Sequence, residues 1–176
     1  MGVELRGGPT QDEILAISLA KMDLREGDQV ADIGCGTGKV AIAAARLAER
    51  VIAVDRRPEA IAVARDAIRE AGCANIDLIE GEAVEVIEAV DSLDCAFVGG
   101  SRDLERVLEL LSSRLRRDVV INAVLLETLH RAVARLRGLG FAVEVVHVQV
   151  SRSRPLAGGL MLEPQNPVFI ITGRRT

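Results

Sequence analysis

The chain has 176 residues, with 22 Lys and Arg against 26 Asp and Glu, a net charge of −4 and 49% hydrophobic residues. That length suits one domain over residues 1–176 with a substantial core, and leaves no room for a separate substrate domain. The acidic pI near 5.3 and an aromatic content of 2% without Trp or Tyr exclude a basic surface that tracks a phosphate backbone and platforms that stack bases, so nucleic acid is not an expected partner.

Taken in order, Thr10-Gln11-Asp12-Glu13 has the Thr-x-x-Glu form of a capping box, and Leu15, Leu19 and Met22 follow at helical spacing, predicting an opening helix. Gly27-Asp28 turns the chain into a strand from Val30 to Cys35. Val40, Ala44 and Leu47 then line one face of a helix that leaves a glycine loop. A second strand runs from Val51 to Asp55, and Pro58 opens a helix carrying Ile61, Ala64, Ile68 and Ala71 until Gly72 stops it. Ile76 to Ile79 is a third strand, followed by a short acidic helix to about Val90, and Leu93 to Val98 is a fourth. Leu104, Val107, Leu108, Leu111 and Leu115 hold a helical period. The remaining expectations are strand Val119 to Val124, helix Leu125 to Leu136, strand Ala142 to Val150 and strand Val168 to Thr172. Alternating strands and helices imply βαβ units and a parallel sheet covered on both faces. Arg152 to Pro167 shows no helix pattern, so the last strand is expected to insert antiparallel.

The run Asp32-Ile33-Gly34-Cys35-Gly36-Thr37-Gly38 carries the chemistry. Glycine at alternate positions allows a tight turn and close backbone approach to a ligand, which a Cβ would block. Asp55 follows the first glycine by roughly 20 residues, the separation at which a carboxylate at the end of the second strand reaches ribose hydroxyls. The form is G-x-G-x-G, unlike the G-x-G-x-x-G that seats a dinucleotide pyrophosphate, and it resembles an S-adenosylmethionine loop. A sulfonium cofactor needs no phosphate cradle, and Asp32 is placed to help hold its cationic amino group.

Cys35, Cys73 and Cys95 are odd in number and lack C-x-x-C spacing, which reads as reduced thiols and a cytoplasmic location. No apolar stretch approaches the roughly 18 residues of a membrane span, and no His, Cys or carboxylate cluster has metal-site spacing. The high hydrophobic fraction points to apolar surface buried between subunits.

Several pieces form an ordered set: Gly7-Gly8-Pro9-Thr10, the loop Asp32 to Gly38, Glu80-Gly81-Glu82-Ala83, Val98-Gly99-Gly100-Ser101, Leu125-Leu126-Glu127-Thr128 and Asn166-Pro167-Val168. The set closely resembles the decarboxylating cobalt-precorrin-6B C(15)-methyltransferases of cobalamin biosynthesis, from Gly8 to Gly173. The resemblance implies a class I methyltransferase fold: α/β, Rossmann-like, with a seven-stranded, mostly parallel sheet, an antiparallel last strand and helices on both faces. It implies methylation of carbon-15 of a tetrapyrrole with loss of carbon dioxide from an acetate arm, by a homotetramer using S-adenosyl-L-methionine. Carried over position by position, the cofactor residues are Thr10, Gly34, Cys35, Gly36, Thr37, Gly38, Asp55, Glu82 and Ala83. Glu82 departs from the Asp usual in similar sequences.

Gly99, Gly100, Ser101 and Arg102 end the fourth strand and are the candidate substrate approach. Arg102, Arg152 and Arg154 suit the carboxylates of a tetrapyrrole. No residue stands out as a catalytic acid; Asn122 and Glu127 are candidates by position alone, and His130 and His147 fall inside regular elements. The alternatives are another class I methyltransferase such as one acting on transfer RNA adenine, an NAD-dependent enzyme, and a non-catalytic methyltransferase-like scaffold.

Overall fold

In this computed structural model, residues 10–100 and 102–175 are described. The order is α1 (Asp12–Met22), β1 (Gln29–Ile33), α2 (Lys39–Ala44), β2 (Arg50–Asp55), α3 (Pro58–Ala71), β3 (Ile76–Glu80), α4 (Ala83–Glu88), β4 (Leu93–Val98), α5 (Leu104–Arg114), β5 (Leu115–Ala123), α6 (Leu126–Gly138), β6 (Ala142–Val148), β7 (Ser151–Leu156), β8 (Gly159–Pro164) and β9 (Val168–Arg174). Seven strands form one sheet in the order β3-β2-β1-β4-β5-β9-β6, and β7 pairs with β8 in a separate two-stranded sheet. The β1–β2, β1–β4, β2–β3 and β4–β5 ladders are parallel. The last strand, β9, runs antiparallel to β5 on one side and to β6 on the other. This is the expected seven-stranded, mostly parallel sheet with its antiparallel last strand.

Side chains alternate across the sheet and separate two cores. Ala31, Ile33, Ala96, Val98, Val119 and Ile121 face α4, α5 and α6, where Ile87, Leu104, Leu108, Leu111 and Leu136 cover them. Val30, Cys95, Phe97 and Val120 face the other way, under Ile14, Met22, Val40, Ala41 and Ala44 of α1 and α2. Both layers leave the carboxyl ends of the parallel strands open, and the strand order reverses between β1 and β4, the position at which open α/β sheets bind ligands.

Several local expectations are corrected. The Thr10 capping box does not form: Gln11 is the N-cap residue of α1, without a side-chain capping bond. The buried face of α1 is Ile14, Ser18 and Met22, one residue out of phase with Leu15 and Leu19. Helix α2 stops at Ala44, leaving Leu47 57% exposed, and Ile68 and Ala71 lie outside the buried face of α3, which is Ala60, Ile61 and Ala64. Leu115 begins β5 rather than ending α5. The segment expected to be a plain connection holds the β7–β8 hairpin, whose strands are exposed almost throughout. Its alternation is visible only within the hairpin's own ladder, because neither face meets the core. Among the described residues no helix is long and apolar enough to cross a membrane.

Candidate active site

The loop from β1 to α2 needs its glycines for two reasons. Gly34, Gly36 and Gly38 have φ of 74°, 56° and 76°, where a Cβ is strained. At Gly34 space is also lacking, since a Cβ would lie 3.0 Å from the Gly100 amide nitrogen, and a Cβ at Gly99 would lie 3.1 Å from the Gly34 carbonyl oxygen. The ends of β1 and β4 therefore approach backbone to backbone, and Gly99 is explained by this approach rather than by room for a substrate alone. The Gly34 and Cys35 amides donate to the Val54 carbonyl at 2.8 and 3.0 Å, tying the loop to the end of β2.

Asp55 sits at that end, 5% exposed. One carboxylate oxygen accepts the Gly36 N–H at 3.0 Å and the Arg57 Nη2–H at 3.0 Å. The other accepts the Arg57 backbone N–H and Nε–H, each at 3.0 Å. Burial pushes the Asp55 carboxyl up, but the Arg57 fork and the two amides together outweigh it and hold it below its ordinary value. Asp55 is thus a fixed anion.

Two clefts meet around this loop. One, about 440 Å3, is bordered by Asp55, Arg57, Glu82, Ala83, Gly100 and Arg102, with Gly34 and Gly99 at its inner edge. The other, about 350 Å3, is lined by Thr10, the loop from Gly34 to Thr37, Lys39, Asn122, Thr128 and Asn166. Gly34, Arg57 and Gly99 belong to both walls. Of the sequence candidates, Asp55, Glu82, Ala83, Gly100 and Arg102 come together in the first cleft, Thr10, Cys35, Gly36 and Thr37 in the second, and Gly34 and Gly99 in both. Gly38 lines neither; it is the left-handed N-cap residue of α2, and a Cβ there would meet Ala64 Cβ at 3.2 Å. Ser101 lies outside the described residues, and the N-cap position of α5 is held by Asp103.

Asp32 does not line either cleft. It is 1% exposed, with one oxygen accepting the Ala41 N–H at 2.8 Å. A strand residue thereby caps a helix whose own N-cap residue, Gly38, has no side chain. The second oxygen is buried without a partner among the described residues. Burial raises its carboxyl to about 7, with the Asp55 charge adding to the rise and the Ala41 N–H opposing it. Burial and the same two carboxylates push the Cys35 thiol up, which keeps it protonated and removes it as a nucleophile. Arg152 and Arg154 lie on the hairpin, paired with Glu13 at 2.8 Å and Glu163 at 3.4 Å, and line neither cleft. Glu127 is exposed outside the linings, His130 is exposed, and His147 stacks on Phe169 with centroids 4.6 Å apart.

Sequence reasoning missed Lys39, Arg57, Gln11, Thr128 and Asn166 as lining residues. Lys39 donates to the Thr10 carbonyl at 2.7 Å and to Asp12 at 2.6 Å, fastening Thr10 and the start of α1 to the loop. Its rarity was a usable signal, since the chain has only Lys21 and Lys39. Ser18 Oγ–H donates to the Asn122 side-chain oxygen Oδ1 at 3.1 Å and orients that amide in the cleft.

Residues 4–175 match the family described as the precorrin methyltransferase domain. The chain belongs to the precorrin methyltransferase family. As a member of that family it is 44% identical to the "Probable cobalt-precorrin-6B C(15)-methyltransferase (decarboxylating)" of Methanosarcina acetivorans, over 98% of this chain and 97% of the relative. Its fold is that of the precorrin-8W decarboxylase of Methanobacterium thermoautotrophicum, with a TM-score of 0.93, 33% identity, and coverage of 97% and 95% of the two chains. It is also that of the precorrin-6Y C5,15-methyltransferase of Geobacter metallireducens, with a TM-score of 0.90, 34% identity, and coverage of 95% and 91%. Membership in the precorrin methyltransferase family makes the chain a methyltransferase and sets aside the dinucleotide and scaffold readings of its glycine loop.

Proposed function

We propose that the chain, acting as a single domain over residues 1–176, methylates carbon-15 of cobalt-precorrin-6B with S-adenosylmethionine and releases carbon dioxide from an acetate arm, in the cytoplasm. The observation that carries the reading is the registered pair of the glycine loop and Asp55, opening on a second cleft in which no Asp or Glu stands among the described lining residues. S-adenosylmethionine supplies a sulfonium-activated methyl group when bound. The residues present suit it: the left-handed glycines give bare backbone, Asp55 is a fixed anion of the kind that ribose hydroxyls require, and Glu82 and Ala83 border the same cleft for the adenine edge. Thr10, Cys35 and Thr37 meet the methionine end.

The remaining work of the protein is alignment and exclusion of water. Holding two reactants in line contributes on the order of 7–11 kcal/mol to lowering a barrier. Thr10, held down by Lys39, closes one side of the second cleft. Asn122 and Thr128 are neutral hydrogen-bonding groups for the polar edge of the macrocycle. A cleft with no carboxylate among its described lining residues suits a substrate carrying many of its own.

The test is mass spectrometry of cobalt-precorrin-6B incubated anaerobically with the protein and S-adenosylmethionine. The expected product has gained one methyl and lost one carbon dioxide. Unchanged substrate alongside measurable S-adenosylhomocysteine binding overturns the substrate and keeps the cofactor; gain of methyl without loss of carbon dioxide overturns the decarboxylation.

We also propose a homotetramer. Its support is the β7–β8 hairpin, where Pro155, Leu160 and Leu162 share one face with Ser153, and Leu160 and Leu162 are 76% and 68% exposed. A hairpin alone is marginal in water, and an apolar face of this kind gains stability by covering a second copy.

A further inference from the structure

Asp55 is saturated. A carboxylate offers about four acceptor positions, and the Gly36 amide, the Arg57 amide and two guanidinium N–H groups of Arg57 fill them, two on each oxygen. Two ribose hydroxyls can therefore reach these oxygens only by displacing two donors. The amides belong to the loop and to the turn after β2, so they stay. The guanidinium is at the end of a flexible side chain that is 31% exposed, and it is the donor pair that can leave.

Where it would go is set by the second cleft. Arg57 is in the wall common to both clefts. Lys39 is the other cation among the described lining residues of the second, and its ammonium is engaged by Asp12 and the Thr10 carbonyl. No protein carboxylate in the described lining competes for a guanidinium that turns that way. A guanidinium that gives up Asp55 loses one charge-assisted pairing, and a carboxylate arriving on a ligand replaces it.

We propose that Arg57 is a positioning residue for substrate: cofactor ribose takes its place on Asp55, and the released fork then grips a carboxylate of the polycarboxylate tetrapyrrole in the second cleft. This inference rests on the S-adenosylmethionine reading above. Before the cofactor arrives, Arg57 is held by Asp55 and the anionic substrate lacks its anchor, so binding is ordered with cofactor first. By linkage, each ligand strengthens the other by the same factor.

The experiment is calorimetric titration of the protein with S-adenosylhomocysteine and with cobyrinic acid, a corrin polycarboxylate, each alone and in the presence of the other. For the unaltered chain the expected coupling is about tenfold in both directions, as for one added bidentate pair. In Arg57→Met, S-adenosylhomocysteine affinity is expected to stay within about threefold of, or to exceed, that of the unaltered chain, because the competitor for Asp55 is gone, while the coupling falls to near one. In Arg57→Lys, which keeps charge without the fork, a coupling of about two- to fourfold is expected. Coupling that is absent in the unaltered chain, that survives in Arg57→Met, or that is undiminished in Arg57→Lys overturns the proposal and leaves the cofactor reading standing. Loss of S-adenosylhomocysteine affinity by tenfold or more in Arg57→Met also overturns it, making Arg57 part of the cofactor's own site. Failure of the unaltered chain to bind S-adenosylhomocysteine overturns the cofactor reading and this inference together.

Discussion

Asp55 and Asp32 are two carboxylates on neighbouring strands with opposite fates. Asp55 receives four donors and stays ionised; Asp32 receives one and is pushed to about 7 by burial. In Asp55→Ala the ribose loses its charged acceptor, so S-adenosylhomocysteine affinity should fall at least tenfold by calorimetry, in keeping with charge-assisted hydrogen bonds of about 1.5–3 kcal/mol. Asp32 governs pH dependence instead. Its carboxyl is raised from 3.8 to about 7 on folding, so between those values the folded chain holds a proton that the unfolded chain has released. Stability therefore falls as pH rises through that window, and the full cost is present above it. Asp32→Asn keeps an acceptor for the Ala41 N–H and removes the buried charge; melting curves from pH 5 to 8 should flatten in the variant relative to the parent.

The glycine loop separates two contributions that a single substitution would mix. Gly72 has φ 67° and no atom within 4 Å of a built Cβ, whereas Gly34 has φ 74° and the Gly100 backbone at 3.0 Å. Gly72→Ala should therefore cost about 1–2 kcal/mol from conformation alone, and Gly34→Ala clearly more, because backbone at that distance must move. Urea unfolding of both variants compares the two costs, and only Gly34→Ala should also lose S-adenosylhomocysteine binding. The opening helix α1 was readable as a helix, but its buried face was not. Leu15 and Leu19 are as apolar as Ile14, and contact with β5 and β9, not composition, selected the Ile14, Ser18 and Met22 stripe.

Across the molecule, the sheet and the hairpin have different tasks. The sheet buries apolar residues on both faces, while β7 and β8 bury almost none, so the hairpin should be dispensable for folding and needed for assembly. Leu160→Asp with Leu162→Asp is expected to leave the melting temperature of the core within a few degrees and to lower the molar mass measured by light scattering to that of a smaller oligomer or monomer. An unchanged mass rejects the hairpin as the assembly element.

The strand and helix order, the sheet type, the glycine loop and Asp55 were legible in the chain because each is a local matter: hydrophobic period, glycine at strained turns, and a carboxylate at a strand end. The β7–β8 hairpin was not, since its residues alternate around no core and carry arginines that read as loop. Neither was the role of Asp32, which depends on helix α2 lying over β1 and supplying an N–H nine residues on. The saturation of Asp55 by Arg57, the fastening of Thr10 by Lys39 and the division of the site into two clefts arise only when chain ends from five strands meet at one edge of the sheet. Local pattern specifies which elements form; which side chains compete for the same acceptor is decided by distances between elements, and those exist only in the folded molecule.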